Sequence, residues 1–217
     1  KGKYFNNTIS NDKSESNIDN LQALGFNAWM KNDLDDAEDI QRRVVKITAS
    51  LEGTDSQSRL AYAQFALALT LWKKNKIIES NDLFLQSIKV IESNANKYGF
   101  PVFHEYATLA TFYFEQSDIK QSLRYAKLSL NQQLNFIKRR APILPRADRI
   151  NVINTLGDLY KGSFTGANIN DDTRSFAINA RLNRHGILEE IDRIQYKLIL
   201  SQSESNINAN ELVEIIQ

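Results

Sequence analysis

Apolar residues recur at spacings of three and four along most of this chain. Ala37, Ile40, Val44, Ile47 and Leu51 form one series, Leu60, Leu67 and Leu71 belong to a second, and Ile77, Phe84, Ile88, Ile91 and Ala95 form a third. That period puts each set on one face of an amphipathic helix. It lapses between Gly162 and Asp172, where GSFTGANINDD carries turn chemistry and predicts a long loop. Beyond it, Ala177, Ala180, Arg184, Ile187, Ile191, Ile194 and Leu198 alternate spacings of three and four. This predicts one long helix with a narrow apolar seam. Gly186 inside that helix costs about 1 kcal/mol relative to Ala unless a close neighbour requires it. The acidic pairs Asp35-Asp36 and Asp171-Asp172 fall at helix starts, where they complement the helix dipole.

The helical series repeat. Leu24 to Ile47, Leu67 to Val90 and Leu109 to Gln132 align without gaps, at offsets of 43 and 42 residues. In each, a Leu and a small residue (Gly25, Ala68, Ala110) mark where two helices cross. A polar turn follows, then a second helix opening on Leu34, Ile77 or Ile119, with a small residue three positions on (Ala37, Ser80, Ser122). Small residues at a crossing let two backbones approach. Pro101 and Pro145 stand where the third and fourth pairs open, as proline suits a first helical turn. A fourth unit starts at Leu156-Gly157-Asp158-Leu159-Tyr160, but its second half departs from the pattern.

These helix pairs, with aromatics at Tyr113 and Tyr160, resemble tetratricopeptide repeats, lengthened by about two turns over the usual ~34 residues, as in the kinesin-light-chain type. The first-helix Trp and terminal Pro typical of that family are mostly missing. The tail adds a second resemblance. Leu144-Pro145-Arg146-Ala147-Asp148-Arg149, the Leu156–Tyr160 motif and Ala180-Arg181-Leu182-Asn183-Arg184-His185-Gly186-Ile187-Leu188-Glu189-Glu190-Ile191 resemble the segment that joins repeats to the peptidase in bacterial TPR–CHAT proteins, cyanobacterial ones especially. The resemblance implies an all-α, right-handed superhelical solenoid of antiparallel helix pairs ending in one long helix. It also implies a concave groove lined by first helices, where a protein or peptide segment binds. The groove positions fall on Asp19, Gln22, Phe26, Trp29 and Met30 in the first repeat. They fall on Tyr62, Phe65, Leu69, Trp72 and Lys73 in the second, and on His104, Ala107, Thr111, Phe114 and Glu115 in the third. Clustered aromatics suit an anchor pocket; they suit core packing against the long second helices equally well.

The organisation expected is a flexible segment over residues 1–17, three tetratricopeptide-like pairs over 18–140 and an atypical fourth pair over 141–200 with its inserted loop at 162–172. A linker and the start of a further helix follow over 201–217. Starting at Lys1 and ending on Glu214-Ile215-Ile216-Gln217, the chain reads as an excerpt of a longer protein.

Composition removes several chemistries. With no cysteine, thiolate nucleophiles, disulfides and Cys-ligated zinc are excluded, and the His/Cys dyad of the CHAT peptidase cannot lie in this chain. His104 and His185 are isolated from any second ligand, so neither a metal nor a catalytic role is assigned, and no cofactor is expected. A net charge of +1 disfavours nucleic acid as partner. No apolar run reaches the ~20 residues that span a bilayer, and a cytoplasmic location is expected. The basic cluster Lys138, Arg139, Arg140, Arg146 and Arg149 brackets Pro142 and Pro145, expected to fix an extended connector. It reads either as an anionic contact or, better, as a solvated turn. The function expected is a non-catalytic recognition and scaffolding module whose last helix adjoins a C-terminal peptidase. The alternatives are a free-standing adaptor or oligomerisation scaffold, and the regulatory half of a caspase-like cysteine peptidase.

Overall fold

The computed structural model describes residues 15–53, 55–154 and 162–203, and no strand occurs among them. The helices are α1 (Glu15–Met30), α2 (Leu34–Ala49), α3 (Ser56–Lys73), α4 (Ile77–Tyr98), α5 (Phe103–Glu115), α6 (Ile119–Arg140), α7 (Arg146–Asn154) and α8 (Asp171–Ser203). A 3-10 turn spans Ala141–Ile143. The chain divides into two units, Lys1–Phe100 with α1 to α4 and Pro101–Gln217 with α5 to α8.

Three of the turns between helices are copies of one another. Asn32, Asn75 and Ser117 each take a left-handed conformation, with φ of 61°, 60° and 63°. The next N–H (Asp33, Lys76, Asp118) donates back to the carbonyl of Ala28, Leu71 or Tyr113 at 2.9 Å in every case. The left-handed residue itself donates to Trp29, Trp72 or Phe114. This is a Schellman closure, which satisfies the last carbonyls of the first helix. One residue later α2, α4 or α6 begins, its first bonds running from Ala37, Ser80 or Ser122 N–H to the Asp33, Lys76 or Asp118 carbonyl at 3.0 Å. Asp118 also caps α6 by accepting from Gln121 N–H at 3.1 Å.

The small residues close each crossing. Ser80 donates its hydroxyl to the Ala68 carbonyl and Ser122 donates to that of Ala110, both at 2.8 Å. In the first pair Ala37 and Gly25 occupy the same places. A Cβ on Gly25 would lie 3.2 Å from Gln41 Cγ and 3.3 Å from Ile40 Cγ2, so glycine is what permits that approach. In the first unit Ile18, Leu21, Val44, Ile47 and Ala63 form a buried cluster. In the second, Leu109, Phe112, Leu130, Leu134 and Ile137 are buried, as are Ala177, Ala180, Ile187 and Ile191 of the seam on α8. Each of the Val, Leu, Ile and Phe side chains among them contributes roughly 1.5–3 kcal/mol on burial.

Several boundaries differ from expectation. Helix α1 opens at Glu15, ahead of residue 18, and α8 runs through Ser203, past the start expected for a linker at Ser201. Residues 162–165 are helical and α8 begins at Asp171, so the loop expected over 162–172 is far shorter. Asn170 makes that early start possible: its Oδ1 accepts from Thr173 N–H at 2.9 Å while Thr173 Oγ1 accepts from Asn170 N–H at 3.2 Å. Pro142 lies in the 3-10 turn, not in an extended connector, and Leu144 after the turn is extended. The segment 1–14, the Leu156–Tyr160 motif and the chain beyond Ser203 lie outside the described residues.

Candidate functional site

The repeat offsets put corresponding side chains at the junction of each helix pair, and the three junctions are filled differently. In the first pair the corner is built by Gln22, Phe26 and Trp29 on α1 and by Gln41 on α2. In the second the same places hold Phe65, Leu69, Trp72 and Phe84; in the third, Ala107, Thr111, Phe114 and Ala126.

At the first junction a small pocket of about 100 Å³ lies among those four residues, Val44, and Ala63, Ala66 and Leu69 of α3. Phe26 stacks on Trp29 with ring centroids 6.0 Å apart, and Lys73 places its ammonium 3.6 Å from the centre of the Trp29 ring. That cation–π contact contributes about 1 kcal/mol. Trp29 Nε1 and Gln41 Oε1 are both buried and have no hydrogen-bond partner among the described residues. Each such group costs about 1–3 kcal/mol. Phe26 is 58% and Met30 62% exposed, large apolar side chains at the end of one helix.

Phe84 fills the second junction. It is fully buried, 4.9 Å from Phe65 and 6.4 Å from Trp72 by ring centroid, edge-on to both. At the third junction Ala126 replaces that ring and Ala107 replaces Phe65. A pocket of about 320 Å³ opens there, walled by α5, α6, residues 162–166 and the start of α8.

The expected groove residues therefore do not behave alike. Gln22, Phe26, Trp29 and Leu69 share the first pocket, and Thr111 and Phe114 share the third. Phe65 is buried against Phe84, which places it in the core, whereas Tyr62 is 38% exposed. Trp29 and Trp72 are half-buried, each with one edge in a junction, so neither of the two readings describes them fully. His104 is exposed, its ring 4.3 Å from that of Phe103, and Asp19 and Glu115 are exposed. The second-helix positions Gln41, Phe84 and Ala126, which decide what each junction holds, are absent from the expected set. Their signal was present in the same register.

Charge is concentrated elsewhere. Glu38, its side chain 9% exposed, accepts from Lys74 and Lys76 at 2.7 Å and from Arg42 at 2.8 Å. Arg42 also reaches Glu79 at 2.7 Å, and Lys74 pairs with Asp35. Burial alone would raise the Glu38 carboxyl, but hydrogen bonds from Lys74, Lys76 and Arg42 outweigh it and bring it from 4.5 to about 2. This network ties the α1–α2 turn to the α3–α4 turn. The basic cluster is dispersed in a similar way. Arg149 is 5% exposed and donates to the Leu144 carbonyl and Asp192, both at 2.8 Å, and to Gln195. Lys138 pairs with Glu190 and Arg140 lies over Phe136. Arg149 is thus an internal brace rather than part of a solvated turn.

Among the described residues no group of three or more His, Asp or Glu side chains is placed to hold a metal ion. No described helix is long and apolar enough to cross a membrane. No protein-family model, curated protein or solved structure matches the chain.

Proposed function

We propose that this chain is a non-catalytic recognition and scaffolding module, a tetratricopeptide-like solenoid that holds a protein segment in a groove lined by its first helices. The observation that carries the reading is the exposed apolar corner of the first unit. Phe26, Met30 and Tyr62 are exposed at groove positions, and Phe26 and Trp29 rim a pocket of about 100 Å³ that suits one small aliphatic anchor. The three matching turns support the repeat architecture on which the reading depends. In the fuller form of the proposal the module is the regulatory region of a TPR–CHAT protein, with α8 leading towards the peptidase. Coding sequence beyond Gln217 tests that part: a caspase-like domain with His and Cys supports it, and a stop codon ends it.

The groove itself is tested with a random peptide library displayed on phage and selected on the immobilised chain. Peptides that enrich should lose roughly 30-fold in affinity, about 2 kcal/mol, on Phe26→Ala or Met30→Ala, with little change in melting temperature. Failure to enrich any peptide, or enrichment indifferent to both substitutions, overturns the groove.

A further inference from the structure

We infer that the pocket at the third junction, in the second unit, is a binding site for a phenyl-sized, uncharged aromatic ring. The chain itself shows what fits there. At the second junction the position of Ala126 carries Phe84, whose ring lies edge-on to Phe65 and Trp72. At the third junction the register retains an aromatic at Phe114 but puts alanine in place of both Phe65 and Phe84. The backbone around the corner is the same, down to the left-handed residue of the turn and the serine hydroxyl on the Ala110 carbonyl. Removing two rings from a retained frame leaves ring-shaped space, and the pocket measures about 320 Å³, within the range of small-molecule sites.

The walls specify the chemistry. No charged or histidine side chain lines the pocket among the described residues. Thr111 donates its hydroxyl to the Ala107 carbonyl at 3.1 Å, Ser122 to that of Ala110 at 2.8 Å and Thr173 to that of Asn170 at 2.9 Å. Each of these three hydroxyls donates its proton within the protein, so none of them has a donor left for an occupant. Phe114 and the buried Phe176 add aromatic surface, which favours an edge-to-face partner. A charged ligand would lose its hydration without compensation. Ala107, Thr111 and Phe114 are groove positions of the third pair, so the site deepens the groove reading there and rests on it in that respect, but its occupant is read from Phe84 rather than from exposed side chains.

The experiment uses the full chain and 4-fluorotoluene, followed by fluorine NMR. Binding broadens and shifts the probe signal, and proton contacts link toluene to the Phe114 and Phe176 rings. Ala126→Phe, which restores the ring of the second junction, should weaken binding at least tenfold, about 1.4 kcal/mol, without lowering the melting temperature. Ala107→Phe, which restores the other ring, gives the same result and stands in if the first variant does not fold. Methylcyclohexane, similar in size but without a π-face, should compete several-fold less well than toluene. N-acetylphenylalaninamide separates two sources of the ring: binding equal to toluene means a peptide supplies it, and exclusion means a free small molecule does. No broadening near the solubility limit of the probe, contacts to other rings, or binding undiminished in a folded Ala126→Phe variant each overturn the proposal. None of these outcomes bears on Phe26 and Met30, so the exposed corner of the first unit stands or falls separately.

Discussion

The first and third helix pairs share a turn, a crossing and a register, yet one closes on about 100 Å³ of space and the other on about 320 Å³. All four matched places differ, Gln22 to Ala107, Phe26 to Thr111, Trp29 to Phe114 and Gln41 to Ala126. The small junction pays for its tightness with two unpaired polar atoms, while the large one keeps the hydroxyls of Thr111, Ser122 and Thr173 bonded. Between them in sequence, the second pair fills the corner with Phe84. The turn and crossing recur, and the side chains at the matched positions of both helices set what each corner can hold.

That comparison is broken most directly at Phe84. If its ring fills the second junction, Phe84→Ala should destabilise the chain by about 3–5 kcal/mol, the cost of a fully buried Phe that leaves a cavity. Denaturant melts measure it. A loss under about 1 kcal/mol would mean that the second corner collapses without its ring, and the volume argument would fail for all three.

A smaller effect distinguishes the units by charge. Glu38 belongs to the first pair, and its counterpart in the third is Leu123. The folded Glu38 carboxyl lies at about 2 against an ordinary 4.5, so the unfolded chain takes up its proton first as pH falls. The stability Glu38 contributes is complete above about pH 4.5 and is lost progressively down to pH 2. A shift of that size bounds the contribution at about 3 kcal/mol. Urea melts between pH 6 and pH 2 should show this loss in the native chain and a flatter profile in Glu38→Gln. Equal slopes in the two would remove Glu38 as the titrating group.

Much of this was legible in the sequence because it is local. Spacings of three and four located the helix faces, and the small residues at 25, 37, 68, 80, 110 and 122 lie at the crossings. What was misread depends on partners far along the chain or on a short-range competition. Arg149 looks like part of a basic patch until Asp192, 43 residues on, is brought beside it. Pro142 has a fixed φ that suits a 3-10 turn as well as an extended strand, and composition does not choose between them. Asn170 and Thr173 turn what looked like loop into a helix start. The groove set was drawn from first helices alone, so it missed Gln41, Phe84 and Ala126. Gly186 meets nothing within 4 Å of an added Cβ, so no close neighbour explains it.

The smallest effect probes the feature the pairs share. All three turns need a residue at φ near +60°, and none of them uses glycine. Asn32 and Asn75 serve the first unit, whereas Ser117 serves the second. Asparagine tolerates the left-handed region because its short amide bonds locally, while other non-glycine residues there are strained by roughly 1–2 kcal/mol. Glycine removes the strain but adds entropy to the unfolded chain, which offsets part of the gain. Ser117→Gly should therefore stabilise the protein by about 0.5–1 kcal/mol, and Asn75→Gly by no more than a few tenths. Both positions are exposed, so packing does not intrude. Thermal melts of the two variants, made side by side, read the difference. A larger gain at Asn75 than at Ser117 would show that the turns are held by different forces despite their matching bonds, and the equivalence on which the three junctions are compared would no longer hold.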